Sequence, residues 1–151
     1  MKRRGASVII KSAKRPVEKE ITIQQDTVGL TQVSNTIHTS TVAETFSGGN
    51  IEISLGPATN TGFVVWALMY VKGGQANPAL SVTDNSNLVP ESSILATGVY
   101  QSVASTQPVV KTFRVKTNRK MLGDDQIVFA SIGSAAACAS IMASITLFFK
   151  Q

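Results

Sequence analysis

The sequence predicts an all-β protein: a single eight-stranded antiparallel jelly-roll sandwich with a basic N-terminal arm. Three observations predict it. From residue 19 onward apolar and polar residues alternate with a period of two, in segments rich in Val, Ile and Thr, and clusters of Gly, Pro, Asn and Asp punctuate those segments. The length, 151 residues with 43% hydrophobic content, suits one domain with a core of its own. Finally, the net charge of +5 resides entirely in the first twenty residues, where seven Lys and Arg face two Glu, whereas the remaining seven cations and seven anions cancel.

That imbalance defines two regions, an arm over 1–17 and a β domain over 18–151. Lys2, Arg3, Arg4, Lys11, Lys14 and Arg15 have little apolar company, so burial cannot offset the entropy of ordering them, and Pro16 marks the end of the stretch. Each such cation that meets a phosphate releases condensed counterions, which gives salt-sensitive affinity without sequence preference. No aromatic residue lies between them to stack on bases. A solubilising tail and a nuclear localisation signal at Lys2-Arg3-Arg4 and Lys14-Arg15 are the other readings. The apolar run Ser7-Val8-Ile9-Ile10 is too short for the core of a signal peptide, so neither secretory cleavage nor an N-terminal membrane anchor is expected.

Within the domain, Ile21 and Ile23 alternate with polar neighbours, and Val33, Ile37 and Ala43 share one parity of a Thr- and Ser-rich stretch. Ser47-Gly48-Gly49-Asn50 predicts a turn. Ile51, Ile53 and Leu55 then take one face and Glu52 and Ser54 the other, until Gly56-Pro57 stops the strand. Phe63 to Val71 is apolar on both parities, which predicts a central strand covered on both sides, one covering being a loop or a neighbouring subunit. A long connection rich in Pro and Asn runs to about residue 93, after which Ile94 to Val99 resumes the sheet. Residues 109–120 place Val109, Phe113 and Val115 on one side and Thr112, Arg114, Lys116, Asn118 and Lys120 on the other, with Lys111 as an exception near an edge. Gly123-Asp124-Asp125 predicts a turn before Ile127-Val128-Phe129, and Gly133 closes that strand. Residues 134–149 are uncharged and Ala-rich, but about sixteen residues containing three serines and a threonine fall short of a membrane span. Read as a strand, Ala139, Ile141, Ala143, Ile145, Leu147 and Phe149 form one apolar face, and the strand is preferred to a helix.

Catalytic chemistry finds little support. His38 reads as a surface or edge histidine, Asp124 and Asp125 as turn residues whose side chains diverge, and Cys138 as a small buried hydrophobe. One Cys and one His exclude disulfide scaffolds and typical structural zinc sites, and no cofactor or catalytic residue is expected. The stronger signal is a second basic cluster: Lys111, Arg114, Lys116, Arg119 and Lys120 are five of the seven cations of the β domain. Its alternatives are a solvated strand face, or a contact to nucleic-acid phosphates or to acidic residues of another subunit. The nucleic-acid-binding residues expected are therefore Arg114, Lys116, Arg119 and Lys120, with the arm cations.

Several segments resemble the capsid proteins of small circular, Rep-encoding single-stranded DNA viruses. They are Val64 to Gly74, Asn87-Leu88-Val89-Pro90-Glu91, Ile94 to Gly98, and Arg119 to Ile127; the resemblance covers residues 63–132. Lys72 stands where similar proteins often carry Pro or Glu, and the basic arm is shorter than theirs. The resemblance implies a jelly-roll subunit that self-assembles into an icosahedral T=1 shell of about sixty copies. It also implies an inward-facing arm on a single-stranded genome, DNA rather than RNA. A virion location, passage through a host nucleus and an unidentified host receptor follow in the same way. The rival readings are a lectin-like binding module, for which one Trp and two Tyr offer few exposed aromatics, and a filament or tail subunit with open assembly.

Overall fold

The computed structural model describes residues 16–56, 62–80, 93–102 and 108–151. Among the described residues eight strands form: β1 (Val17–Val28), β2 (Val33–Thr39), β3 (Glu44–Leu55), β4 (Gly62–Val71), β5 (Ile94–Ser102), β6 (Val109–Met121), β7 (Gln126–Gly133) and β8 (Ala139–Lys150). They make two four-stranded antiparallel sheets, ordered β1-β8-β3-β6 and β2-β7-β4-β5. Strands pair as first with last, second with seventh, third with sixth and fourth with fifth. The chain is in effect one long antiparallel hairpin wrapped into a sandwich, which is the jelly-roll topology. The six expected arm cations, and Asn87 to Glu91 of the long connection, lie outside the described residues.

Alternation decides which face is buried. On β8, Ala139, Ile141, Ala143, Ile145, Leu147 and Phe149 are all buried, and they meet Ile51, Ile53 and Leu55 of β3 in register or one step away. From the other sheet Trp66, Leu68, Ile127 and Phe129 complete the core. Trp66 packs against Phe113 at 4.8 Å and 60° and against Phe129 at 6.0 Å and 17°, so this one side chain joins both sheets.

The doubly apolar pattern of β4 has its explanation on the outer face of its sheet. Ala67, Met69 and Val71, with Val128 and Ala130 of β7, form a second buried cluster beneath Leu80 of the β4–β5 connection. Gln32 anchors that covering, accepting from Leu80 N at 2.6 Å and donating to Pro78 O at 3.0 Å. At this end the cover is a loop of the same chain.

Three expectations are corrected. Ser47-Gly48-Gly49-Asn50 is not a turn, because β3 runs straight through it with a bulge opposite β6 between Phe46 and Gly48. The two glycines are there for close approach: a Cβ on Gly48, whose φ is +128°, would lie 2.3 Å from Val115 O, and one on Gly49 would lie 2.4 Å from Thr146 O. Val33, Ile37 and Ala43 do not share a buried face. Ile37 alone is buried, and Ala43 falls between β2 and β3, where the chain crosses to the other sheet. His38 is on an edge strand, as expected, but it is half-buried rather than superficial, with its ring 4.2 Å from that of Phe149.

Candidate nucleic-acid interface

β6 is an edge strand of its sheet. Its inward positions carry Phe113, Val115 and Met121 against the core, so the intervening positions must face outward; Thr112, Arg114, Lys116, Asn118 and Lys120 are all exposed. Successive outward residues stand about 6.6 Å apart along the strand. Among the described residues, Arg114, Lys116 and Lys120 make no ion pair. Their cross-strand neighbours on β3 are Asn50, Gly48 and Thr45; of the acids on β3, Glu52 lies opposite Thr112, and Glu44, opposite Met121, is paired with His38. Farther across the same sheet lie Thr146 and Ser144 of β8, then Glu18 and Glu20 at the β1 edge. The sheet face is thus cationic at one edge and anionic at the other.

Arg119 does not join this row. It occupies an inward parity, and its guanidinium sits 3.9 Å over the ring of Tyr70. Tyr70 in turn donates its hydroxyl to Asp125 Oδ2 at 2.7 Å. Burial, reinforced by the hydrogen bond to Asp125 and its negative charge, raises the Tyr70 pKa, and Arg119 opposes the shift. The Arg119 guanidinium is thus engaged by the Tyr70 ring, contributed by the other sheet.

Asp125 is the residue whose importance sequence reasoning missed. Its carboxylate accepts from Gly73 N at 2.9 Å, Leu122 N at 2.8 Å and Tyr70 Oη, while its backbone oxygen accepts from Ser40 N at 2.8 Å. It is 4% exposed. Burial pushes its pKa upward, but the two backbone donors, the Tyr70 hydroxyl and the charge of Lys72 outweigh burial, and the net shift is down. The Lys72-Gly73-Gly74 and Gly123-Asp124-Asp125 segments, far apart in sequence, are thereby brought together. The available signal was a turn of the form Gly-Asp-Asp, in which Asp124 takes the left-handed φ of 69° and turns the next side chain inward.

His38 and Cys138 both make contacts within the fold. His38 Nε2 lies 2.6 Å from Glu44 Oε1. Cys138 is buried, accepting from Ala135 N at 3.2 Å and donating to Ala135 O at 3.1 Å. Among the described residues no group of three His, Cys, Asp or Glu side chains is placed to hold a metal, and no helix is long and apolar enough to cross a membrane.

Fold and surface together define an all-β jelly-roll domain with a cationic strand edge. No known family's sequence profile matches the chain, and no curated protein matches it. Among solved structures it is similar to an aminopeptidase from the marine sediment archaeon Thaumarchaeota archaeon, at 9% identity and a TM-score of 0.40. That match covers 78% of this chain and 25% of that one, so the chain spans about a quarter of the larger protein.

Proposed function

We propose that this chain is a capsid subunit that self-assembles into a closed icosahedral shell of about sixty copies and packages single-stranded nucleic acid. The observation that carries the reading is the free cationic row Arg114, Lys116 and Lys120 on an edge strand of a jelly roll whose sequence begins with six cations in fifteen residues. The resemblance to capsid proteins of small circular single-stranded DNA viruses supplies the cargo, DNA, and a virion location with passage through a host nucleus. Sixty copies of the seven cations in residues 1–20 supply on the order of 400 positive charges, short of a genome of roughly one to two thousand phosphates. Sixty copies of the β6 row add on the order of 180 more, which is why the row belongs to the same function as the arm.

The test is size-exclusion chromatography of the full chain at low and high salt, with absorbance at 260 and 280 nm recorded across the peak. A megadalton peak with a nucleic-acid ratio supports the proposal, and removal of residues 1–17 should keep the shell while lowering its nucleic-acid content. A monomer peak near 16 kDa under all conditions overturns it. Electron micrographs showing filaments instead of shells would move the protein to the open-assembly class.

A further inference from the structure

β5 and β6 are edge strands of opposite sheets, and between them a cleft of about 130 Å³ reaches into the core. Buried Ile53, Leu55 and Trp66 form its floor, half-buried Phe113 and Tyr100 its walls, and exposed Lys111 its rim. Trp66 is only 2% exposed, and its backbone oxygen accepts from Thr97 Oγ1 at 2.8 Å. Its indole N–H, by contrast, has no acceptor among the described residues, and neither has the hydroxyl of Tyr100. The Nε1 edge of the indole lies over Gly98, where an added Cβ would come within 2.5 Å of Nε1. Glycine there lets the donor edge of the ring reach the cleft between the two edge strands.

A donor with no protein acceptor that opens onto a cleft is completed there by water or by a ligand. The space is close to that of the roughly 150 Å³ cavity that accommodates one benzene ring. Ring-sized apolar space, an unpaired N–H at its base and a cation at its mouth specify an occupant: one six-membered ring with an edge acceptor and an adjacent anionic group. Lys111 also begins the cationic run of β6, with Arg114 about 10 Å further along the same strand. Arg114 projects from the opposite face of the strand, so Lys111 is the cation that serves the cleft itself.

We propose that the cleft is a subsite for a pyrimidine nucleotide, with a ring carbonyl accepting from Trp66 Nε1–H and the phosphate on Lys111. The inference rests on the packaging reading and deepens it, since the β6 edge then holds a base as well as phosphates. The nucleotide comes either free or within a single strand.

Trp66 is the single tryptophan, so its emission reports on the cleft directly. The full chain is titrated with thymidine monophosphate, deoxyadenosine monophosphate, oligothymidylate and an abasic oligomer of equal length, with oligomer binding followed in parallel by gel shift. Expected is a saturable emission change with both thymine ligands, at least fivefold weaker binding of the purine, and no change with the abasic oligomer even where it binds. Lys111→Ala, at an exposed position, should weaken thymidine monophosphate binding by up to about fivefold at low salt. Oligomer binding that leaves Trp66 emission unmoved overturns the cleft and spares the packaging reading. Saturable thymidine monophosphate binding without any oligomer binding supports the cleft and overturns packaging. An emission change shared equally by thymine and abasic oligomers also overturns the cleft.

Discussion

Replacing Asp125 with alanine removes one carboxylate that serves three donors, Gly73 N at 2.9 Å, Leu122 N at 2.8 Å and Tyr70 Oη at 2.7 Å. A buried donor left unpaired costs about 1–3 kcal/mol. Tyr70 is only half-buried, and Leu122 stands at an exposed turn, so water can partly replace the lost acceptor at those two positions. The loss should come to about 3–4 kcal/mol, a large fraction of the 5–15 kcal/mol of an ordinary domain. Asp125→Asn retains one oxygen and turns an NH2 group toward at least one donor, so about 1–2 kcal/mol is expected. The assay is urea unfolding followed by Trp66 emission, at protein concentrations low enough that assembly does not contribute. The acid limb gives a second readout. Because the folded-state pKa of Asp125 is lowered, its contribution is fully present above the ordinary carboxylate value of about 4 and is lost as pH falls through the folded-state value. The gap between the parent and Asp125→Asn should therefore narrow below about pH 4. An Asp125→Ala protein within about 1 kcal/mol of the parent, or an Asn variant with a constant gap from pH 6 to 2, would refute this account of the turn network.

Gly48→Ala places a Cβ 2.3 Å from Val115 O at a φ of +128°, so it should cost more than about 3 kcal/mol or abolish soluble expression. Gly123→Ala, with nothing within 4 Å of the added atom, should stay within about 1 kcal/mol in the same thermal melts. The triple variant Arg114→Glu, Lys116→Glu, Lys120→Glu should melt close to the parent yet bind single-stranded DNA more weakly, with the slope of log K against log salt reduced by about 2. Arg119→Ala should do the reverse, losing about 1 kcal/mol of stability with the Tyr70 contact while leaving the slope nearly unchanged. Cys138, buried and hydrogen-bonded to Ala135, should react with a thiol reagent only as fast as the fold opens; modification within seconds in the native protein would contradict its placement.

Much of the fold is legible along the chain because β structure writes its faces locally. The alternation of Ala139, Ile141, Ala143, Ile145, Leu147 and Phe149 predicts both the strand and its buried side, and β8 presents all six inward. The outward row Arg114, Lys116 and Lys120 is equally readable, since Phe113 and Val115 between them declare where the core lies. Arg119 was not separable from its neighbours by charge alone. Its parity gave the warning, and only the ring of Tyr70, contributed by a strand of the other sheet, says what it does there.

The failures share a cause. Gly48 and Gly49 look like a turn because glycine is the commonest turn residue, yet here they let β3 pass between the backbones of β6 and β8. What makes them necessary is Val115 O on one side and Thr146 O on the other, both remote in sequence. Likewise Asp125 reads as half of an exposed pair until Tyr70 and Gly73 arrive from β4 and its following turn. The sequence by itself determined the strand class and the faces that β6 and β8 bury. Those follow from side-chain polarity and a period-two backbone, which act between near neighbours. The tertiary structure decided which strands are edges, which glycines face a backbone, and which charges are free, because these depend on pairings such as Ser47 with Phe148, 101 residues apart, that form only when the chain closes on itself.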